Sequence, residues 1–230
     1  MRHIRAITLD LDDTLWAIGP VIRRAELVLR EWLETHVPAV TDKHPPESTA
    51  RIRKRVLREH PDMAHDLTFI RRQVLARMGH GAGVGDDFVD DAFAAFDTAR
   101  NTVELYPEAA EALEVLAGRY PLIAVTNGNA RLERIGIDHL FVDAVSARDV
   151  GEAKPHPSMF DAALRAAGEP AEATLHVGDH PEHDVHGAKQ AGLDAAWLNR
   201  GGLDFPQQWH APDHTIRDLN ELVRLLAVER

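Results

Sequence analysis

An apolar, partly β-branched run from Ile4 to Leu9 stops abruptly at three carboxylates in four positions, Asp10, Asp12 and Asp13. No packed strand interior tolerates that density of charge. The junction therefore reads as a buried strand delivering acids to the edge of a sheet. Because side chains alternate along extended backbone, Asp10 and Asp12 are expected on one side, with Leu11 and Asp13 on the other. Two carboxylates sharing one small space repel unless a cation lies between them or one carries a proton. The stretch thus asks for a hard metal ion or for an acid and a base with divided roles. A solvated turn and an incidental cation site are the plainer readings of these acids.

The remaining composition narrows the class of chemistry. The chain has 230 residues, 44% hydrophobic and 27% charged, enough for one large domain or a core carrying a smaller insert. No apolar run reaches the length of a bilayer span, so no membrane partner is expected. Lys plus Arg at 26 against Asp plus Glu at 37 gives a formal charge of −11. That excess disfavours nucleic acid and anionic surfaces and points to a small-molecule ligand. Cysteine is absent, which removes disulfides and thiol catalysis, and the N-terminal residues lack the apolar core of a signal peptide. A cytoplasmic location is the expectation.

Past the breaker pair Gly19-Pro20 the period becomes helical, with Ile22, Ala25, Leu29, Trp32 and Leu33 at three- and four-residue spacing. Prolines and glycines divide residues 21–102 into three or four helices without a strand. The glycine-rich stretch Gly79 to Gly85 follows a helical pattern (Phe69, Ile70, Val74, Leu75, Met78), so it reads as an interhelix turn, not as a phosphate cradle. From Tyr106-Pro107 the rhythm changes again. Strands are expected at 122–125, 141–145, 174–177 and 194–198, and helices from Pro107 to near Gly118 and at 131–135, 157–167, 184–191 and 219–228. Alternation of this kind predicts an α/β fold, a doubly wound parallel sheet with right-handed crossovers. The core is discontinuous, 1–17 joined with 105–230, and 18–104 forms an inserted helical domain.

In such a sheet, functional residues collect at the carboxyl ends of strands. The strand at 122–125 ends in Thr126-Asn127-Gly128-Asn129, a hydroxyl, two amides and a glycine suited to a phosphoryl oxygen, or else an ordinary Asn-Gly turn. Lys154 sits in Gly151-Glu152-Ala153-Lys154-Pro155-His156-Pro157, where the prolines can hold its ammonium as a fixed point charge; a solvated surface lysine is the alternative. The strand at 174–177 ends in Gly178-Asp179-His180-Pro181-Glu182-His183-Asp184. Oxygen donors there, opposite Asp10 and Asp12, suit Mg²⁺. His176, His180, His183 and His186 raise the alternative of a histidine metal site, disfavoured because no cysteine assists and His176 lies within the strand. His180, in the loop, is a candidate pocket residue.

Taken together, Asp10-Leu11-Asp12-Asp13-Thr14, the strand ending at Thr126, Lys154-Pro155 and Gly178-Asp179 with Asp184 resemble, in order, the four motifs of the haloacid-dehalogenase-like (HAD) phosphohydrolase superfamily. The resemblance implies a Mg²⁺-dependent phosphatase of a small-molecule phosphate monoester. Asp10 would be the nucleophile and Asp12 the acid and then the base, while Lys154 screens the repulsion between carboxylate and phosphate dianion. Thr14, Thr126, Asn127, Gly128, Lys154 and His180 would bind substrate. Mg²⁺ would be held by Asp10, the Asp12 backbone carbonyl and Asp179, with Asp184 supporting the metal waters or Lys154. Residues 18–104 resemble the family's helical cap, in which His65, Asp66, Arg71 and Arg72 are candidate substrate contacts, a solvated helix face being the plainer reading of the two arginines. Segments around Asp10, Pro61 and Ile123 are similar to bacterial flavin-pathway phosphatases acting on FMN or on the phosphoribitylamino-pyrimidine. A metal-independent 2-haloacid dehalogenase, a phosphomutase and a non-catalytic binding module are the alternatives; the resemblance implies that dehalogenases lack the second acid, so Asp12 favours the phosphate ester.

Overall fold

The computed structural model describes residues 4–227. Six parallel strands, β1 (Ala6–Leu9), β2 (Leu122–Thr126), β3 (Asp143–Ser146), β4 (Thr174–Gly178), β5 (Asp194–Leu198) and β6 (His214–Ile216), form one sheet in the order β3-β2-β1-β4-β5-β6. Strands β1, β2, β4 and β5 are buried along their whole length, as strands covered on both faces must be. The chain leaves β1 toward β2 on one side and later returns to β4 on the other. Their ends at Asp10, Thr126 and Gly178 therefore meet where the strand order reverses.

The described chain divides into two compact units, one running up to Ala17 and resuming at Glu104, the other Ile18–Val103. The second is built from α1 (Ile18–His36), α2 (Pro38–Lys43), α3 (Pro46–Glu59), α4 (Leu67–Ala82) and α5 (Val89–Arg100). That is five helices where the breaks in the sequence suggested three or four. On α1 the buried residues Val21, Ala25, Leu29 and Leu33 fall at four-residue intervals, and the last three join Ile70, Val74, Met78, Ala92 and Phe96 in one core. The glycine-rich stretch is not all turn. α4 runs through Gly79 and Gly81 and ends only at Gly83, whose φ of 78° favours glycine. Gly79 is required by close approach, since a Cβ there would lie 2.0 Å from the Gly85 carbonyl oxygen.

In the sheet unit, α6 (Ala109–Ala117), the short α7 (Leu132–Ile135) and α8 (Ala147–Val150), α9 (Pro157–Ala167), the short α10 (Gly187–Gln190) and α11 (Leu219–Ala227) connect and cover the strands. On one face Met159, Phe160 and Ala163 of α9 pack with Ile123, Val125, Val145 and Ala195. Two expectations shift. The third strand begins at Asp143, not Phe141, because a turn at Asp138–Leu140 precedes it. The helix expected from Asp184 starts earlier, as a wide π-helical turn at Pro181–His186 continuing into α10. Val228, the expected end of α11, lies outside the described residues.

Candidate active site

Backbone geometry decides where each acid goes. After Leu9 the strand does not continue: the Asp13 amide donates to the Trp16 carbonyl, the Leu15 amide donates to that of Leu11, and Asp13 takes a positive φ of 62°. Asp13 is a residue type that tolerates this conformation. Asp10 and Asp12 consequently sit in different surroundings. Asp10 is buried, with Thr14 Oγ1 donating to its Oδ2 at 3.1 Å. Asp12 is half-buried and accepts from the Trp16 indole Nε1 at 2.9 Å.

Lys154 crosses from its loop into the middle of this cluster. Its Nζ, almost fully buried, donates to Asp10 Oδ1, Asp184 Oδ1 and the Val125 carbonyl, each at 2.7 Å. Burial works against its charge, but the Asp10 and Asp184 carboxylates outweigh it and hold the lysine above its usual range. The loop itself is clamped by Asn127, whose Oδ1 accepts from the Lys154 amide at 2.7 Å while its Nδ2 donates to the Lys154 carbonyl at 2.9 Å. The side-chain amide expected to meet substrate is thus committed to backbone. Thr126 Oγ1 accepts from the Gly128 amide at 2.8 Å, closing a tight turn at the end of β2.

Carboxylate oxygens of Asp10, Asp179 and Asp184 all lie within 4.8 Å of one another. Burial pushes Asp10 up to about 7, opposed by Lys154 and reinforced by Asp184. Asp179 rises to about 8, again through burial and then through Asp184 and Asp10. Asp184 is different. Burial would raise it, yet Lys154 and a hydrogen bond with His176 keep it well below the usual carboxylate range. Its Oδ1 faces Lys154 and His176 Nε2, and its Oδ2 accepts the His180 amide at 2.9 Å. Both Asp184 oxygens are engaged by Lys154, His176 and the His180 amide, and both Asp10 oxygens by Lys154 and Thr14, which leaves the Asp179 carboxylate the least committed of the three. Three clustered acids around one ammonium, with oxygen donors alone, fit a hard divalent ion such as Mg²⁺. The Asp12 carboxylate is not part of that trio.

The histidine alternative does not assemble. Among the described residues the acidic trio is the one group of three or more ligating side chains that converges. His180 and His183 instead stack with ring centroids 3.9 Å apart, and His180 Nδ1 accepts the amides of Glu182 and His183, capping the π-helical turn. In the helical unit, Asp66 caps α4 by accepting from the Phe69 amide, Arg71 pairs with Glu26 over the Phe96 ring, and Arg72 pairs with Asp90. His65 is half-buried.

Two supports escaped the sequence reading. Arg200, just past β5, donates to the Thr14 carbonyl at 3.0 Å, pairs with Glu108 at 2.7 Å and lies 3.7 Å over the Tyr106 ring. Trp197 Nε1 donates to the Asp179 carbonyl at 2.8 Å. Neither has a local motif; their partners are distant in sequence. The Asp10–Trp16 loop and Asp179 are therefore pinned from β5 and its C-terminal end.

A family model described as haloacid dehalogenase-like hydrolase matches residues 4–192. The 5-amino-6-(5-phospho-D-ribitylamino)uracil phosphatase YigB of Escherichia coli (strain K12) is 32% identical over 213 residues, spanning 91% of this chain and 89% of its own. (S)-2-haloacid dehalogenase 2 of Pseudomonas sp. (strain CBS-3) is 33% identical over 130 residues, 54% of this chain and 56% of that one. A crystal structure described as 2-haloacid dehalogenase from Pseudomonas syringae pv. Tomato DC3000 superposes with a TM-score of 0.93 at 39% identity, covering 99% of this chain and 100% of that one. The relatives divide between phosphate-ester and carbon–halogen chemistry.

Proposed function

Because the chain belongs to the haloacid dehalogenase-like hydrolases, we propose that it is a Mg²⁺-dependent phosphatase of small-molecule phosphate monoesters. The observation that carries this reading is the trio Asp10, Asp179 and Asp184 around Lys154, with Asp12 set apart beside Trp16. A halide leaves without a proton, so a dehalogenase has no use for a second acid near its nucleophile. An alkoxide leaving group does.

Asp10 Oδ1 is held by Lys154 and Oδ2 by Thr14, an orientation suited to in-line attack on phosphorus. The P–O bond to the leaving alcohol breaks as the Asp10–phosphorus bond forms, and Asp12 supplies the proton the alcohol takes. Asp12, now a carboxylate, removes a proton from the water that attacks the aspartyl-phosphate, releasing phosphate and restoring Asp10. Lys154 offsets the repulsion between Asp10 and the dianion, and the Thr126 hydroxyl, which accepts from the Gly128 amide, has its own proton to donate to a phosphoryl oxygen. Mg²⁺, held by Asp10, Asp179 and the Asp12 carbonyl, would neutralise charge on those oxygens. Asn127 serves by clamping the Lys154 loop.

The similarity to the ribitylamino-uracil phosphatase over most of both chains favours that ribityl phosphate as substrate, and FMN is the other ester that the sequence resemblance implies. We place substrate selection in the helical unit, with His65 as its first candidate. The high TM-score to a structure described as a 2-haloacid dehalogenase supports the second reading. One panel separates them: phosphate release from FMN, the ribityl phosphate, nucleoside monophosphates and sugar phosphates, beside chloride release from 2-chloropropionate, each with Mg²⁺ and with chelator. Chelator-sensitive phosphate release is expected. Chloride release that persists in chelator would replace this reading with the other.

A further inference from the structure

We infer that His176, in the middle of β4, is a positioning residue that orients Asp184 and through it the Lys154 ammonium, with Thr8 of β1 fixing its tautomer. The inference rests on the phosphatase reading only for the rate it alters.

An imidazole inside a parallel strand between Leu175 and Val177 is costly unless both nitrogens find partners. They do. Thr8 and His176 are register partners across β1 and β4, both almost fully buried, and Thr8 Oγ1 lies 2.8 Å from His176 Nδ1. His176 Nε2 lies 3.3 Å from Asp184 Oδ1. An ionised carboxylate can only accept, so the Nε2 proton must face Asp184, which leaves Nδ1 to accept from the Thr8 hydroxyl. Hydrogen bonds therefore run in one direction from β1 to the oxygen on which Lys154 also donates.

Asp184 has no slack with which to find another pose. A Cβ on Gly178 would lie 2.3 Å from its Cγ, so the carboxylate already fills that space, and the His180 amide holds its other oxygen. Phe160 and the imidazole meet in a T-shaped contact with centroids 5.2 Å apart, which leaves the His176 ring little freedom to swing. Lys154 has three donor protons and three acceptors, Asp10, Asp184 and the Val125 carbonyl. An Asp184 that tilts away releases the ammonium from one corner and shifts it relative to Asp10. The ring nitrogens of His176 meet Thr8 and Asp184, so its effect reaches Lys154 through Asp184.

The test compares His176→Gln, whose carboxamide N–H can reach toward Asp184, with His176→Met, of similar length but without a donor. Turnover of p-nitrophenyl phosphate at saturating Mg²⁺ and the ¹⁵N–¹H signal of the buried Lys154 ammonium are read for each, alongside Tm. The Met variant should lose about tenfold or more in kcat, with the Gln variant within about threefold of wild type. The ammonium signal should shift or broaden in the Met variant only. Equal kcat and equal ammonium signals in the two variants, or losses that follow Tm alone, would overturn the inference. Should His176→Met fail to fold, Thr8→Val retains the imidazole but removes the Nδ1 donor. An unchanged kcat and unchanged ammonium signal there would also overturn it. If wild type hydrolyses no phosphate ester, the phosphatase reading falls, while the ammonium signal still decides the role of His176.

Discussion

Asp10 and Asp12 are the same residue type two positions apart, and the division of tasks proposed for them matches their different surroundings. Asp10 is buried and braced by Lys154 and Thr14. Asp12 is half-buried and accepts from an indole N–H, the more open setting of the two for the proposed acid and base. Asp10→Asn should therefore abolish turnover and the hydroxylamine-labile aspartyl-phosphate trapped by rapid acid quench. Asp12→Ala should retain that intermediate while losing about two to four powers of ten in kcat. Equal residual activity in the two variants would contradict the division. Trp16 is fully buried, so Trp16→Phe removes the N–H together with part of the ring volume, and Tm is read beside the rates to separate the two. The expected loss is roughly three- to tenfold in kcat with KM little changed, as for one hydrogen bond orienting a charged group. A change in KM with constant kcat would show that Trp16 acts on substrate binding instead.

At the scale of elements, legibility followed length and locality. Strand β2 is a continuous apolar run with an abrupt polar end, β4 and β5 carry apolar residues bounded by glycine and polar residues, and the core helix α9 carries its own start in Pro157 and its stop in Gly168, so each could be read in place. β6 could not: it is three residues long, His214-Thr215-Ile216, and exists because β5 offers it an edge. The π-helical turn was hidden because its cap is an imidazole, His180, where hydroxyl and carboxylate side chains are the usual signal. The four motif residues of the site were visible locally, whereas Arg200, Trp197 and His176 act on partners 8 to 186 positions away, which no spacing rule reveals. The β5–β6 junction also carries a pH dependence. Asp213 precedes β6, accepts the Ala195 amide at 2.8 Å and pairs with Lys189 at 2.7 Å. Burial would raise its pKa, but these hydrogen bonds outweigh burial and hold it below its usual value near 3.8. A carboxyl depressed by folding stabilises above its unfolded pKa and loses that contribution as pH falls through the folded value. The Tm gap between wild type and Asp213→Asn should thus be constant above about pH 5 and close below about pH 4. A gap that widens on acidification would invert the assignment.

For the molecule as a whole, a formal charge of −11 and a trio of acids, two buried and one half-buried, around a single lysine leave the folded chain with uncompensated repulsion at one point. An unfolded chain spreads those carboxylates and loses the site, so a divalent ion that binds only the folded form must raise its stability. At one hundred times Kd the gain is about 2.7 kcal/mol, which for a chain of this size is roughly 5–10 °C in Tm. Mg²⁺ should produce that rise in a thermal melt at constant ionic strength, whereas Na⁺ matched for charge should not. Asp179→Asn should abolish the Mg²⁺-dependent rise without lowering the metal-free Tm, because it removes a repelled carboxylate and leaves the Lys154 pairs with Asp10 and Asp184 intact. This melt requires no knowledge of the substrate, so it separates a missing metal from a wrongly chosen ester. A Tm indifferent to Mg²⁺, in a protein that still releases chloride from a haloacid, would mean that the acids form a closed salt-bridge network around Lys154 and that the family's metal-independent chemistry is the one this chain performs.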